Sequence, residues 1–211
     1  MNTVFDPREF RTALGAFTTG VTIVTACGAD GQPVGVTANS FNSVSLDPPM
    51  VLWSLAKNSR SLAAFESAGH WIVHILAADQ EHLSNRFARS SADKFAGLDT
   101  EAGVGSAPML KDCACRLQCR TAFKYEGGDH VIFVGEVIAF DRKDVPTLAF
   151  HGGKYALASR MTAPAELSGA APRDLDISYG EDFLGYLLWR ADLHFRQRVS
   201  VHLAEQQLDL D

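Results

Sequence analysis

Nowhere does this sequence run to the roughly 20 consecutive apolar residues that a membrane-spanning helix needs, and a membrane is not expected as a partner. It also lacks a G-x-G-x-x-G turn between a strand and a helix. The nearest approach, Gly103-Val104-Gly105, runs into Pro108 and opens no helix. There is no Walker phosphate loop, no G-x-S-x-G nucleophile elbow and no H-E-x-x-H pair. No protein nucleophile or bound metal therefore stands out as a chemical engine. Basic charge is short as well: the formal net charge of −6 weighs against nucleic acid or an anionic surface as main partner. Cysteine is scarce, at four residues, and Cys113, Cys115 and Cys119 lack the C-x2-C pairs or nearby histidines of a zinc site. Cys115, Leu117, Cys119, Thr121 and Phe123 recur at a period of two, which reads as core thiols on one face of a strand. Asp6, Arg8, Glu9 and Arg11 do not build the apolar core of a signal peptide, so the cytoplasm is the expected compartment.

What is present is a concentration of small and hydroxyl-bearing residues from Gly35 to Pro49, ending on a double proline before the apolar run Met50 to Leu55. Thr37, Asn39, Ser40, Ser43 and Ser45 supply hydrogen-bonding groups, and Gly35 and Ala38 permit close approach to the backbone. That chemistry suits a polar, planar or phosphorylated ligand along a sheet edge. The alternative is a Ser/Thr-rich surface loop.

Asp6-Pro7-Arg8-Glu9 reads as a helix start, with Phe10, Leu14 and Phe17 at helical spacing up to Gly20. Strands are expected at Val21 to Ala26, Pro33 to Ala38, Met50 to Leu55, Trp71 to Leu76, Cys113 to Phe123, His130 to Phe140 and Thr147 to Phe150. Asp30-Gly31 and Glu126-Gly127-Gly128-Asp129 mark turns. Ser59 or Ser61 can cap a helix through Leu62 and Phe65, and Asp79 can open another through Leu83 and Phe87. Residues 90–107 read as a long loop. Short strands interrupted by helices predict a mainly β fold, a mostly antiparallel barrel with flanking helices.

Three further segments suit a ligand. Lys57-Asn58-Ser59-Arg60-Ser61 brings hydroxyls and cations to a helix start, which is a phosphate seat or a plain capped helix. Arg86-Phe87 with Lys94-Phe95 pairs cations with aromatics, as an anion plus a flat ring would want, or marks a solvated helix end. Gly128-Asp129-His130 and His151-Gly152-Gly153-Lys154-Tyr155 each set a histidine beside glycines at a strand end, for a ligand or for structure alone.

Together Phe17-Thr18-Thr19-Gly20-Val21-Thr22-Ile23-Val24-Thr25, Gly35-Val36-Thr37-Ala38-Asn39-Ser40-Phe41, Ser45-Leu46-Asp47-Pro48-Pro49, Arg86-Phe87-Ala88 and Gly128-Asp129-His130-Val131-Ile132-Phe133-Val134-Gly135-Glu136-Val137 resemble the flavin reductase-like proteins. The likeness is to the NAD(P)H:flavin oxidoreductase component of two-component aromatic monooxygenases, and it covers about residues 5–160. It implies an FMN-binding split β-barrel, commonly a homodimer with flavin near the subunit interface. FMN or FAD would take a hydride from NADH or NADPH and leave for a separate flavin-dependent oxygenase. By position, Thr37, Ala38, Asn39 and Ser40 would line the ribityl and phosphate region, and Ser54, Leu55 and Ala56 would run beside the isoalloxazine. Ser59, Ser61, Arg86 and Lys94 would hold phosphate, Phe87 would flank the flavin, and His130, His151 and Tyr155 would face the nicotinamide. No catalytic acid, base or nucleophile is implied.

The domain reading is a barrel over 1–161, a linker over 162–180 rich in Ala, Pro, Gly, Ser and Asp, and a C-terminal amphipathic helix over 181–211. Phe183-Leu184-Gly185-Tyr186-Leu187-Leu188-Trp189-Arg190-Ala191 resembles the first helix of MarR-type regulators; a packing or dimerising helix is the other reading. Two rival functions stay open: a flavin-binding redox module with little turnover, and a pyridoxamine-phosphate-oxidase-like FMN enzyme.

Overall fold

A computed structural model of the chain describes residues 5–90 and 93–159. The expected linker and C-terminal helix lie outside the described residues.

Helix α1 (Pro7–Gly15) starts where expected, with the Asp6 carboxylate accepting the Arg8 N–H at 2.7 Å. It stops at Gly15, short of Gly20, because Thr19 and Gly20 form a short strand β1 paired with Phe150 and Ala149. The chain continues through β2 (Thr22–Cys27), β3 (Pro33–Ala38), β4 (Asn42–Leu46), β5 (Pro49–Ala56), α2 (Leu62–Ser67), β6 (His70–Ile75) and α3 (Glu81–Ala88). Then follow β7 (Thr100–Ala102), a 3₁₀ turn (Val104–Ser106), β8 (Pro108–Leu110), β9 (Cys115–Gly127), β10 (His130–Arg142), β11 (Leu148–His151) and β12 (Lys154–Leu157). The stretch read as a loop thus holds a short strand at Thr100–Ala102 and a 3₁₀ turn at Val104–Ser106. Its composition conceals that three-residue strand because tertiary contacts hold it: Arg116 bonds Glu101, and Gly105 takes the positive φ that turns β7 toward β8.

Seven strands form one antiparallel sheet in the order β3-β2-β6-β9-β10-β5-β4. The sheet curls until β3 touches β5, yet its edges β3 and β4 are not paired with each other. This is a barrel with a split, and the split is bridged by the three residues 39–41. A second sheet, β1-β11-β12, hangs on it through Val21 N–H to Leu148 O (3.1 Å) and Leu148 N–H to Leu76 O (3.0 Å).

Alternation fills the barrel interior. Val51, Trp53 and Leu55 of β5, Val131 and Phe133 of β10, and Val24 and Ala26 of β2 all point inward. Trp53 is the hub: its ring lies 4.9 Å from Phe133, 4.9 Å from Phe65 of α2 and 6.0 Å from Trp71. Edge and offset contacts of this kind add about 1 kcal/mol each beyond area burial. A second cluster lies outside the barrel, where Leu83 and Phe87 of α3 meet Val21, Ile23, Leu76 and Leu148.

The expected period of two along β9 does not persist. Leu117 and Cys119 face the core, but a register shift between Val134 and Gly135 inserts Ala122 as an extra residue. Phe123 and Tyr125 consequently face outward, half-exposed, with rings 6.0 Å apart. Gly135 accommodates the indole of Trp71, which would lie 2.4 Å from a Cβ there. Of the thiols, burial pushes Cys113 and Cys119 up to about 12, so both are neutral and unreactive at neutral pH, while Cys115 is only half-buried.

His74 of β6 is fully buried between β2 and β8. One ring nitrogen bonds the Ile23 carbonyl (3.0 Å), and the other accepts the Leu110 N–H (3.0 Å). The second bond requires a bare nitrogen, so the folded state holds the neutral ring. Burial lowers its pKa to about 4; the charge of Arg116 adds to the fall, while the Ile23 bond and Asp141 oppose it. The unfolded chain takes up this proton near pH 6.5 and the native chain does not. The resulting stability is intact above that pH and declines between about 6.5 and 4, by up to about 3 kcal/mol. Urea unfolding at stepped pH should show this decline with uptake of one extra proton on unfolding. His74→Leu should be less stable at pH 7 and lack that component of the slope.

Candidate functional site

The outer face of β5 and β10 is built by register. His130 stands opposite Ala56, and Ile132 stands opposite Ser54 on β5 and Tyr125 on β9. Partners across a ladder share a face, so Ser54, Ala56, His130, Ile132 and Tyr125 lie together on the barrel surface. Ser54 and Ala56 carry the smallest side chains of that strip and leave their backbone open to a flat neighbour. The side chain of Leu55, by contrast, points into the core beside Trp53, since it has the opposite parity; only its backbone belongs to the strip.

Ser40 joins this strip across the split. Its hydroxyl donates to the Ser54 carbonyl (3.1 Å) and accepts the Ser54 N–H (2.9 Å). The β4–β5 ladder ends at Asn42 and Leu52, so the Ser40 side chain replaces the missing backbone partner two residues further on. One lone pair of that hydroxyl is left for a ligand. Asn39 is exposed beside it, and Ala38 packs against the barrel core with its carbonyl accepting the Thr22 hydroxyl (2.7 Å).

His130 opens β10 after the two-residue turn Gly128-Asp129, where Gly128 takes φ +73°. Its Nδ1 lies 2.8 Å from the Asp129 carboxylate. A carboxylate only accepts, so Nδ1 carries the proton in this contact, and Nε2 is the ring nitrogen that Asp129 leaves unused. The same contact lowers the Asp129 pKa, chiefly by hydrogen bonding and then by charge. Lys57, at the end of β5, ties in through its N–H to Asp129 O (2.9 Å) and an ion pair with Glu126. Ser59 and Ser61 follow in the turn into α2. Neither caps that helix with its side chain; the Ser59 hydroxyl accepts the Ser61 N–H at 3.3 Å.

The other expected residues gather around α3, and several are already committed. Thr37 points outward from β3, and its hydroxyl donates to Ser84 O (2.7 Å). Phe87 is buried at 1% exposure, edge-on to Phe95 at 5.1 Å. Its ring lies 2.5 Å from where a Cβ on Gly35 would stand, so glycine there serves helix packing. Phe87 is therefore core and not a free flank for a ring. The Lys94 ammonium donates to Gly35 O (2.9 Å) and Phe87 O (2.8 Å), and its partial burial lowers its pKa. It clamps the C-terminal end of α3 to β3, which takes up two of its three donors. Arg86 reaches the Ala96 carbonyl and remains half-exposed.

His151 and Tyr155 come from the second sheet. The His151 Nδ1 meets the Thr18 hydroxyl at 2.8 Å, and the Tyr155 hydroxyl meets Ser84 Oγ at 2.8 Å and Asn85 Oδ1 at 3.1 Å. Apart from His151, which is tied to Thr18, the candidate residues thus form two groups, one at β5 and β10 and one around α3. They are joined by Ala38-Asn39, and from Thr37 to Ser40 the chain spans at most about 11 Å.

A model of the family described as "Flavin reductase like domain" matches residues 14–159. The chain belongs to that family. Among curated relatives of this flavin reductase-like chain, the FMN reductase (NADH) SmoA of Agrobacterium fabrum is 49% identical over 154 residues, 73% of this chain and 87% of that protein. The flavin-dependent monooxygenase reductase subunit HsaB of Rhodococcus jostii is 42% identical over 163 residues, 76% of this chain and 83% of its own length. A solved structure of the NADH:FAD oxidoreductase SgcE6 of Streptomyces globisporus, in complex with NAD and FAD fragments, superposes with a TM-score of 0.67 at 38% identity. It covers 76% of this chain and 97% of that one. The chain spans about half the length of other curated relatives that it matches.

Ser84 and Asn85 join the site although no sequence motif singles them out. A small polar residue between Leu83 and Phe87 on the buried stripe of α3 is the one signal, and it points to Ser84; Asn85 is exposed. Ser40→Ala should leave the Ser54 N–H and carbonyl without their partner. The expected cost is about 1–2 kcal/mol in urea unfolding.

Proposed function

We propose that this chain is an NAD(P)H-dependent flavin reductase that supplies reduced FMN or FAD to a separate flavin-dependent oxygenase. The observation that carries it is the polar, small-residue strip of Ser40, Ser54 and Ala56 beside an Asp129-oriented His130, in a chain of the flavin reductase-like family. The bound cofactors supply the chemistry, a hydride passing from nicotinamide to flavin N5. The protein's tasks are binding, orientation and exclusion of side reactions.

In this reading Ser54, Ala56 and the Leu55 backbone support the flat ring system, and Ser40 and Asn39 bond its polar chain. Ser59, Ser61 and Arg86 serve the phosphate, with Thr37 and Lys94 holding the backbone around it. His130 offers Nε2 to the nicotinamide while Asp129 holds the other nitrogen. His151 and Tyr155 flank that side.

A second copy of the chain completes the site in this proposal. Phe123 and Tyr125 stay half-exposed on the face that carries Ser54, Ala56 and His130. A homodimer that covers these rings would also wall the flavin strip. The unbridged cysteines fit the cytoplasm.

The decisive experiment crosses NADH and NADPH with FMN, FAD and riboflavin and follows oxidation of the reduced nicotinamide. Turnover that depends on added flavin is expected. Tightly held flavin with little turnover would favour a redox module, and oxygen-dependent amine oxidation would favour an oxidase. His130→Ala should raise KM for the nicotinamide about tenfold, with kcat within a few-fold of wild type; a collapse of kcat at unchanged KM would refute the positioning role. Phe123→Ser with Tyr125→Ser should shift the protein toward monomer in sedimentation and weaken flavin binding together.

A further inference from the structure

Ser84 is a serine with no exposed surface on the apolar stripe of α3, between Leu83 and Phe87. A hydroxyl buried there costs free energy unless it is paired. Its partner is not on its own helix. The Ser84 Oγ meets the Tyr155 hydroxyl of β12 at 2.8 Å, and the Ser84 carbonyl accepts the Thr37 hydroxyl of β3 at 2.7 Å. The Tyr155 hydroxyl donates onward to Asn85 Oδ1 at 3.1 Å. Its single proton is then used, so Ser84 Oγ is the donor to Tyr155. The Tyr155 ring is fixed from its other side by Phe150, edge-on at 5.6 Å.

One helical residue therefore touches both sheets through two independent groups. The side chain of Ser84 holds the β11–β12 hairpin, and its backbone holds β3. The backbone bonds joining the two sheets lie at Val21, Leu76 and Leu148, at the far end of β11 from His151. The His151 end is also held, by Gly152 N–H to Gly15 O (2.8 Å) and His151 Nδ1 to the Thr18 hydroxyl (2.8 Å), but those ties run to the segment before β2 and not to β3.

We infer that Ser84 and Asn85 are positioning residues: through the Tyr155 hydroxyl they set the stance of the His151–Tyr155 hairpin toward the flavin-bearing segment Thr37–Ser40, and so govern nicotinamide binding apart from flavin binding. The inference rests on the reductase reading above. Tyr155→Phe keeps the ring packing and removes the tie. Ser84→Ala removes the Ser84 half of that tie, leaves the Tyr155 hydroxyl its bond to Asn85 Oδ1, and leaves the Ser84 carbonyl to accept from Thr37. Thr37→Val breaks only the opposite tie.

The test uses the full chain and two readouts: FMN affinity by quenching of flavin fluorescence, and KM and kcat for NADH at saturating FMN. Tyr155→Phe and Ser84→Ala should each raise KM for NADH three- to tenfold, with kcat within twofold and FMN affinity unchanged. Their combination should be no worse than Tyr155→Phe alone, because that variant already lacks the bond that Ser84→Ala removes. Thr37→Val should weaken FMN binding several-fold and leave KM for NADH within twofold. The inference is overturned if KM for NADH stays at the wild-type value in both single variants, if FMN affinity falls in parallel with it, or if the two effects multiply. A wild-type protein that binds FMN but does not oxidise NADH would instead overturn the reductase reading; the inference, which rests on that reading, would then fall with it.

Discussion

The Ser40 hydroxyl spans both backbone groups of Ser54 at the point where the β4–β5 ladder has already ended, and the shape of the face that carries Ser54, Ala56 and His130 follows from it. An antiparallel sheet of seven strands whose edges meet must either close or stay split. Closure would require β3 to pair with β4; instead the three residues 39–41 cross the gap, with the Ser40 side chain bonded to β5. A side chain standing in for a strand keeps the split narrow without filling it.

Around that seam the structure divides labour between two kinds of interaction. Inside the barrel, Trp53, Phe65, Phe133 and Trp71 pack ring on ring and make the sheet rigid. Outside it, single hydrogen bonds from buried hydroxyls and one clamped ammonium place α3 on β3 and β12. The aromatic cluster is large and dry, with Trp53, Trp71, Phe65 and Phe133 all fully buried. The hydroxyl ties contribute less energy each, but they set the angles and spacings of α3 against β3 and β12.

Part of the site is legible in the amino-acid order itself. His130 belongs to a Gly-Asp-His turn, and the turn does place it at a strand start with Asp129 bonded to its ring. Ser40, Ser54 and Ala56 are readable as small polar positions beside a buried strand. Phe87 and Lys94 are less transparent. Aromatic and cationic residues at a helix end look the same whether they meet a ligand or their own backbone, and here Gly35 leaves the gap that Phe87 fills. The outward turn of Phe123 is hidden for a different reason: a bulge at Ala122 depends on the partner strand and leaves no local signature.

The amino-acid pattern was sufficient for the mainly β architecture, the helix start at Asp6, the hairpin turns and the family, because these rest on local periodicity, turn chemistry and short motifs. Which face each side chain presents, which hydroxyls are already spent, and how Ser84 finds Tyr155 across 71 residues of chain came only from the folded molecule. Those outcomes depend on contacts between distant segments, and no local run of residues encodes the partner that a buried hydroxyl will find.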